Sequence, residues 1–156
     1  MDRVFGDTGY WISLLNPRDE LHEKATQVAR DFGSDRIVTT EMVLTEFLNS
    51  FSEYGPHLRG AAAKAVVSLR ASRLVIVPQT SRLFADALDR YRAMGDKSRS
   101  LTDCASFLIM EQEGFTEALT YDRHFVQAGY RALLRWPAAR QDRIARLSTL
   151  TECYGL

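Results

Sequence analysis

The sequence predicts an α/β fold built on a central parallel sheet of about five strands, and three observations carry that prediction. Short apolar runs rich in β-branched residues alternate with longer segments of helical periodicity, the signature of repeated βα units. Each run stops at polar or turn residues, as Leu74 to Val77 does at Pro78, which keeps the runs to strand length. The chain has 156 residues, 46% hydrophobic and 26% charged. That composition supplies one sizeable core and leaves little chain for a second.

Taken in order, the expected strands are Arg3 to Gly6, Arg36 to Thr39, Leu74 to Val77, Ala118 to Tyr121, and Ala132 to Arg135 ahead of Trp136-Pro137. Helices are expected over Thr8 to Leu15, Asp19 to Phe32, Thr40 to Glu53, His57 to Ala71, Thr80 to Ala93, Thr102 to Glu113 and Arg123 to Ala128. Pro17 and Gly33 bound the second helix, Gly55-Pro56 parts the third from the fourth, and Gly95 and Gly114 follow two others. Proline cannot continue a helix, and glycine tolerates the left-handed turn that ends one. The pattern divides the chain into one domain over residues 1–137 and a helical tail over 138–156, where Ile144, Leu147 and Thr151 fall at helical spacing.

No apolar stretch reaches the roughly 18 residues of a membrane-spanning helix, and Met1 to Phe5 lacks the hydrophobic run of a signal peptide. No membrane association and a cytoplasmic location are therefore expected. Cys104 and Cys153 are too few for a disulfide framework and are not spaced as a zinc pair. Twenty basic residues balance twenty acidic ones, unlike a strongly basic chain that coats nucleic acid without specificity.

In an open parallel sheet, ligands bind beyond the carboxyl ends of the strands, where strand order reverses. Asp7 ends the first expected strand, Asp122 ends the fourth, and Asp103 opens the helix leading into that fourth strand. If the first and fourth strands are neighbours, these carboxylates converge. Glu46 lies at the edge of the apolar arc made by Val43, Leu44, Phe47, Leu48 and Phe51, so its carboxylate points along the sheet. Four acids held together repel one another unless a cation compensates. All-oxygen ligation suits Mg²⁺ or Mn²⁺, which usually act on phosphates. The chemistry this implies is phosphodiester hydrolysis by a metal-activated water, with no side-chain nucleophile. Singly, each acid has a plainer role: Asp7 and Asp122 suit helix N-caps, Ser100 to Asp103 has capping-box spacing, and Glu46 suits a solvated helix face. Their joint placement on one rim puts the metal reading level with these plainer roles.

These acids sit inside longer strings. Val4-Phe5-Gly6-Asp7-Thr8-Gly9-Tyr10-Trp11, Ser100-Leu101-Thr102-Asp103-Cys104-Ala105-Ser106-Phe107 and Thr120-Tyr121-Asp122-Arg123-His124-Phe125 together resemble the PIN-domain nuclease family, nearest its VapC-like toxin branch. Glu46 within Val43-Leu44-Thr45-Glu46-Phe47-Leu48, and Asp96-Lys97 ahead of Ser100, fit the same pattern, which runs from about Val4 to Leu134. The resemblance implies a three-layer α/β/α sandwich and a Mg²⁺- or Mn²⁺-dependent endoribonuclease. It implies that Asp7, Glu46, Asp103 and Asp122 form the acidic metal site, with Thr8, Ser100 and Thr120 as hydroxyls orienting carboxylates or water. It further implies structured RNA such as tRNA as substrate, a cognate antitoxin of a type II toxin–antitoxin pair, and a homodimer. The tail after Trp136 is longer than the family pattern.

Lys97, Arg99 and Arg123 adjoin Asp103 and Asp122 in sequence and are candidates to grip an RNA backbone, with ordinary solvated charge as the plainer role of each. Tyr10 and Trp11 read as core packing and Cys104 as a small apolar filler. His22, His57 and His124 show no zinc spacing, and His124 reads as a surface residue of a first helical turn. An aspartyl-phosphate phosphatase would need a second acid where Asp7-Thr8-Gly9 has glycine, and a receiver domain would need paired acids after the first strand where Gly6-Asp7 stands. The remaining alternatives are a non-catalytic RNA- or protein-binding module of the same fold and a free-standing RNA-processing nuclease.

Overall fold

A computed structural model describes residues 3–95 and 98–135. Lys97 and the expected helical tail over 138–156 lie outside the described residues. Five strands, β1 (Val4–Gly6), β2 (Ile37–Thr40), β3 (Val75–Val77), β4 (Glu117–Leu119) and β5 (Arg131–Ala132), form one sheet in the order β3-β2-β1-β4-β5. Every pairing is parallel. Parallel neighbours need a crossover between them, and among the described residues seven α-helices supply it: α1 (Thr8–Leu15), α2 (His22–Phe32), α3 (Glu41–Ser50), α4 (Gly55–Ala71), α5 (Ser81–Ala93), α6 (Leu101–Glu113) and α7 (Arg123–Gln127). Among the described residues no helix is long and apolar enough to cross a membrane.

The chain first builds outward from β1 to β3, then passes back across β1 to lay down β4 and β5. Right-handed crossovers in these two directions put α1 to α4 on one face and α5 to α7 on the other, giving the α/β/α sandwich. The packing agrees: α1 touches α2 and α3, α3 touches α4, and α5 lies against α6. Central β1 is covered on both faces, with Val4 and Phe5 at zero exposure, as expected of an interior parallel strand. The Phe107 ring meets Phe125 edge-on at 4.9 Å, and Phe5 stacks on Phe125 at 6.4 Å. Each such buried phenylalanine contributes roughly 1.5–3 kcal/mol, and together they fix short α7 against the sheet.

Two details prepare the site. Trp11 Nε1 donates to Thr39 Oγ1 at 3.3 Å, and that hydroxyl donates to the Gly6 carbonyl at 2.7 Å, tying α1 to the ends of β1 and β2. A Cβ on Gly6 would lie 3.0 Å from the Trp11 ring and 3.1 Å from Ile37, so the residue before Asp7 has to be small. Thr40 caps α3 by accepting the Val43 amide at 3.1 Å, and α3 also touches α6.

Element boundaries depart from the sequence expectation where side chains take over backbone partners. Helix α2 starts at His22 because Asp19 Oδ1 accepts the Leu21 amide at 2.8 Å and holds the preceding residues in a turn. Strand β4 stops at Leu119 because the Thr120 hydroxyl accepts the Asp122 amide. The last strand comprises Arg131 and Ala132, sharing only Ala132 with the expected span. Thr40→Ala removes the cap of the helix that carries Glu46 and is expected to cost about 1 kcal/mol. Urea unfolding monitored by circular dichroism would show it as a lowered midpoint at unchanged slope.

Candidate metal centre

Strand order reverses between β1 and β4, and the carboxyl ends of these neighbours open into a cavity of about 320 Å³. Asp7 reaches it from the end of β1, Glu46 from α3, Asp103 from the first turn of α6 and Asp122 from the turn after β4. Four acids separated by up to 115 positions thus line one cavity. Asp7 and Asp103 are 6% and 8% exposed, which is rare for carboxylates without a partner.

Each acid is held by one oxygen. Thr120 Oγ1 donates to Asp7 Oδ2 at 2.9 Å, and the Thr8 hydroxyl donates to Glu46 Oε2. The Ser100 amide donates to Asp103 Oδ2 at 3.0 Å, and the His124 amide donates to Asp122 Oδ1 at 2.8 Å. The plainer roles are therefore partly filled as well. Ser100 and Asp103 form a full capping box on α6, and Asp122 caps α7. Asp7 occupies the N-cap position of α1, yet its side chain makes no capping hydrogen bond.

Among the described residues, donor atoms of Asp103, Asp122 and His124 lie within 4.8 Å of one another. Asp7 and Glu46 line the same cavity outside that tighter group. The sequence reading of His124 as a surface residue is corrected. Its side chain is 17% exposed, with Nδ1 3.5 Å from Asp103 Oδ2 and 3.3 Å from Asp122 Oδ1. Packing of Phe125 on Phe107 turns α7 so that His124 faces inward, and periodicity over a five-residue helix carries no such information. Ser98 and Tyr121, also unforeseen, complete the lining. The Tyr121 ring lies against Gly9, where a Cβ would come within 2.7 Å of it. Tyr10, Trp11 and Cys104 are buried. Arg99 stacks its guanidinium 5.3 Å over the Phe107 ring, while Arg123 is exposed. Among the described residues no lysine or arginine lines the cavity.

The donor set fits a divalent cation. Hard oxygen donors predominate, they carry like charge, and a buried imidazole nitrogen beside them has no hydrogen-bond partner.

The sequence matches the family described as PIN domain over residues 4–129. The fold superposes on the crystal structure of VapC20 from Mycobacterium tuberculosis, a sarcin-ricin loop cleaving toxin. The TM-score is 0.72 at 23% identity, over 81% of this chain and 95% of that one. No curated protein sequence matches.

Burial raises the Asp7 carboxyl to about 7, against the opposing pull of the Thr120 hydroxyl and the Thr8 amide, with the Asp103 and Glu46 charges adding to the rise. Burial also raises Glu46 and Asp103, each with the Asp122 charge contributing. In the metal-free protein the folded state thus holds protons that the unfolded chain releases. The associated stability is complete below the unfolded value of 3.8 and is lost as pH rises through about 7, an effect of roughly 4 kcal/mol for Asp7. EDTA-treated protein is therefore expected to melt lower at pH 8 than at pH 5. Asp7→Asn should flatten that dependence, and a melting temperature that rises over the same interval would contradict the burial of like charge.

Proposed function

The chain belongs to the PIN domain family, and from that premise we propose that it is a Mg²⁺- or Mn²⁺-dependent endoribonuclease acting as the toxin of a type II toxin–antitoxin pair. The observation that carries this reading is the convergence of Asp7, Glu46, Asp103 and Asp122 in one cavity at the reversal point of the sheet. Bound there, a divalent cation would polarise a phosphoryl oxygen and acidify a water.

The chain's own residues supply position. Thr120, Thr8 and the amides of Ser100 and His124 each pin one carboxylate oxygen, so the acids enter the reaction already oriented. Among the described residues no lysine or arginine lines the cavity, and attraction for RNA falls to the bound metal and to basic residues at its rim. Exposed Arg123 next to Asp122 suits that role, as does Lys97 by its place in the sequence. The half-exposed Tyr121 ring at the cavity mouth offers a face on which an unpaired base can stack. The likeness to VapC20 supports a structured RNA as substrate, and the toxin reading carries with it a cognate antitoxin and a second copy of the chain as partners.

Purified protein is expected to cleave structured RNA with added Mg²⁺ or Mn²⁺ and to stop on addition of EDTA. Asp7→Asn and Asp103→Asn should each lower the rate by at least about 100-fold with circular dichroism unchanged. Gel analysis of labelled RNA measures this. Full-rate cleavage by both variants would reject the mechanism, and tight RNA binding without any turnover would favour a non-catalytic binding module. Cleavage should also weaken steeply with salt, because backbone contacts displace condensed counterions.

A further inference from the structure

The Asp103–Asp122–His124 group holds more than acids. His124 Nδ1 is buried, lies between two carboxylate oxygens at 3.3 and 3.5 Å, and makes a hydrogen bond to neither. An ion with metal–ligand bonds of about 2.1 Å sets adjacent ligand atoms roughly 3 Å apart, close to these separations. The other ring nitrogen, Nε2, lies 3.3 Å from Ser98 Oγ. When Nε2–H donates to that hydroxyl, the neutral tautomer leaves Nδ1 unprotonated beside the two carboxylates. Three electron-rich atoms then crowd within 4.8 Å of one another. A ligating imidazole usually has its second nitrogen engaged in this way, and Ser98 fills that place.

The backbone holds the arrangement. Asp122 caps α7 through the His124 amide at 2.8 Å, so the two residues share one rigid turn, and buried Phe125 anchors that turn from the opposite side. Neither His22 nor His57 stands near: His22 Nδ1 bonds the Ser13 carbonyl at 2.8 Å, and His57 is exposed on α4.

Resting on the metal reading above, we infer that His124 is a direct ligand of the cation through Nδ1, making a mixed nitrogen–oxygen set with Asp103 and Asp122 that favours Mn²⁺ over Mg²⁺. Mg²⁺ prefers oxygen alone, whereas the later first-row ions accept imidazole more readily. The Asp7 and Glu46 side of the cavity stays all-oxygen.

Electron spin echo spectroscopy of the full-length protein loaded with Mn²⁺ tests this without reference to activity. The expected spectrum shows ¹⁴N modulation from a coordinated imidazole, which changes to the ¹⁵N pattern when histidine alone is labelled. The signal should persist in His22→Asn/His57→Ala and vanish in His124→Gln, whose Mn²⁺ affinity should fall about tenfold or more with Mg²⁺ affinity much less affected. Because the labelling experiment uses the unaltered chain, poor folding of His124→Gln would not blunt it. Mn²⁺ bound in the cavity with no histidine coupling would overturn the ligand assignment and leave the carboxylate metal site standing. Absence of any Mn²⁺ binding that Asp103→Asn abolishes would overturn both.

Discussion

Asp7, Glu46, Asp103 and Asp122 crowd like charge into one partly buried cavity, and the neighbouring structure is arranged to hold that charge in place. Burial pushes three of the four toward the protonated form, an unfavourable state that a divalent ion relieves. Fixed donors prevent the acids from turning away from one another: two threonine hydroxyls and two backbone amides each secure one oxygen. The short strands and their order follow the same requirement, since only adjacency of β1 and β4 brings Asp7 beside the segment that carries Asp122.

The helix caps show how structure and site share residues. Asp103 completes a capping box with Ser100, and Asp122 caps α7. A cap contributes about 1 kcal/mol, much less than the cost of crowding buried carboxylates, so capping alone does not account for their placement. The capping bonds fix both carboxylates in orientation, and local stability and site geometry come from one contact. Asp7 differs. It sits at an N-cap position without a capping bond, its carboxylate tied instead to Thr120 on the far side of the β1–β4 boundary.

Much of this was legible in the sequence. Among the described residues, alternating apolar runs located the five strands and seven α-helices, with α1 matching to the residue, and Asp7 and Asp122 could be read from their places at strand ends. Glu46 followed from its angle on an amphipathic helix. The order of strands was not legible, because no local pattern says which of five short parallel strands lies beside which. His124 escaped for a related reason: its direction depends on Phe125 packing against Phe5 and Phe107, residues about 120 and 20 positions away. Arg99, adjacent to Ser100 in sequence, instead lies over the Phe107 ring, a tertiary contact that adjacency in sequence does not disclose. The Tyr121 ring against Gly9 is likewise a product of β1 lying next to β4.

The central proposition is that the carboxylates of β1, α3, α6 and the turn after β4 share a cation. Anomalous diffraction from crystals grown with Mn²⁺ tests it most directly. A strong manganese peak is expected inside the cavity, within bonding distance of oxygens from at least two of these acids. A cavity without such a peak at saturating Mn²⁺, the four side chains remaining as close as they are here, would contradict the account.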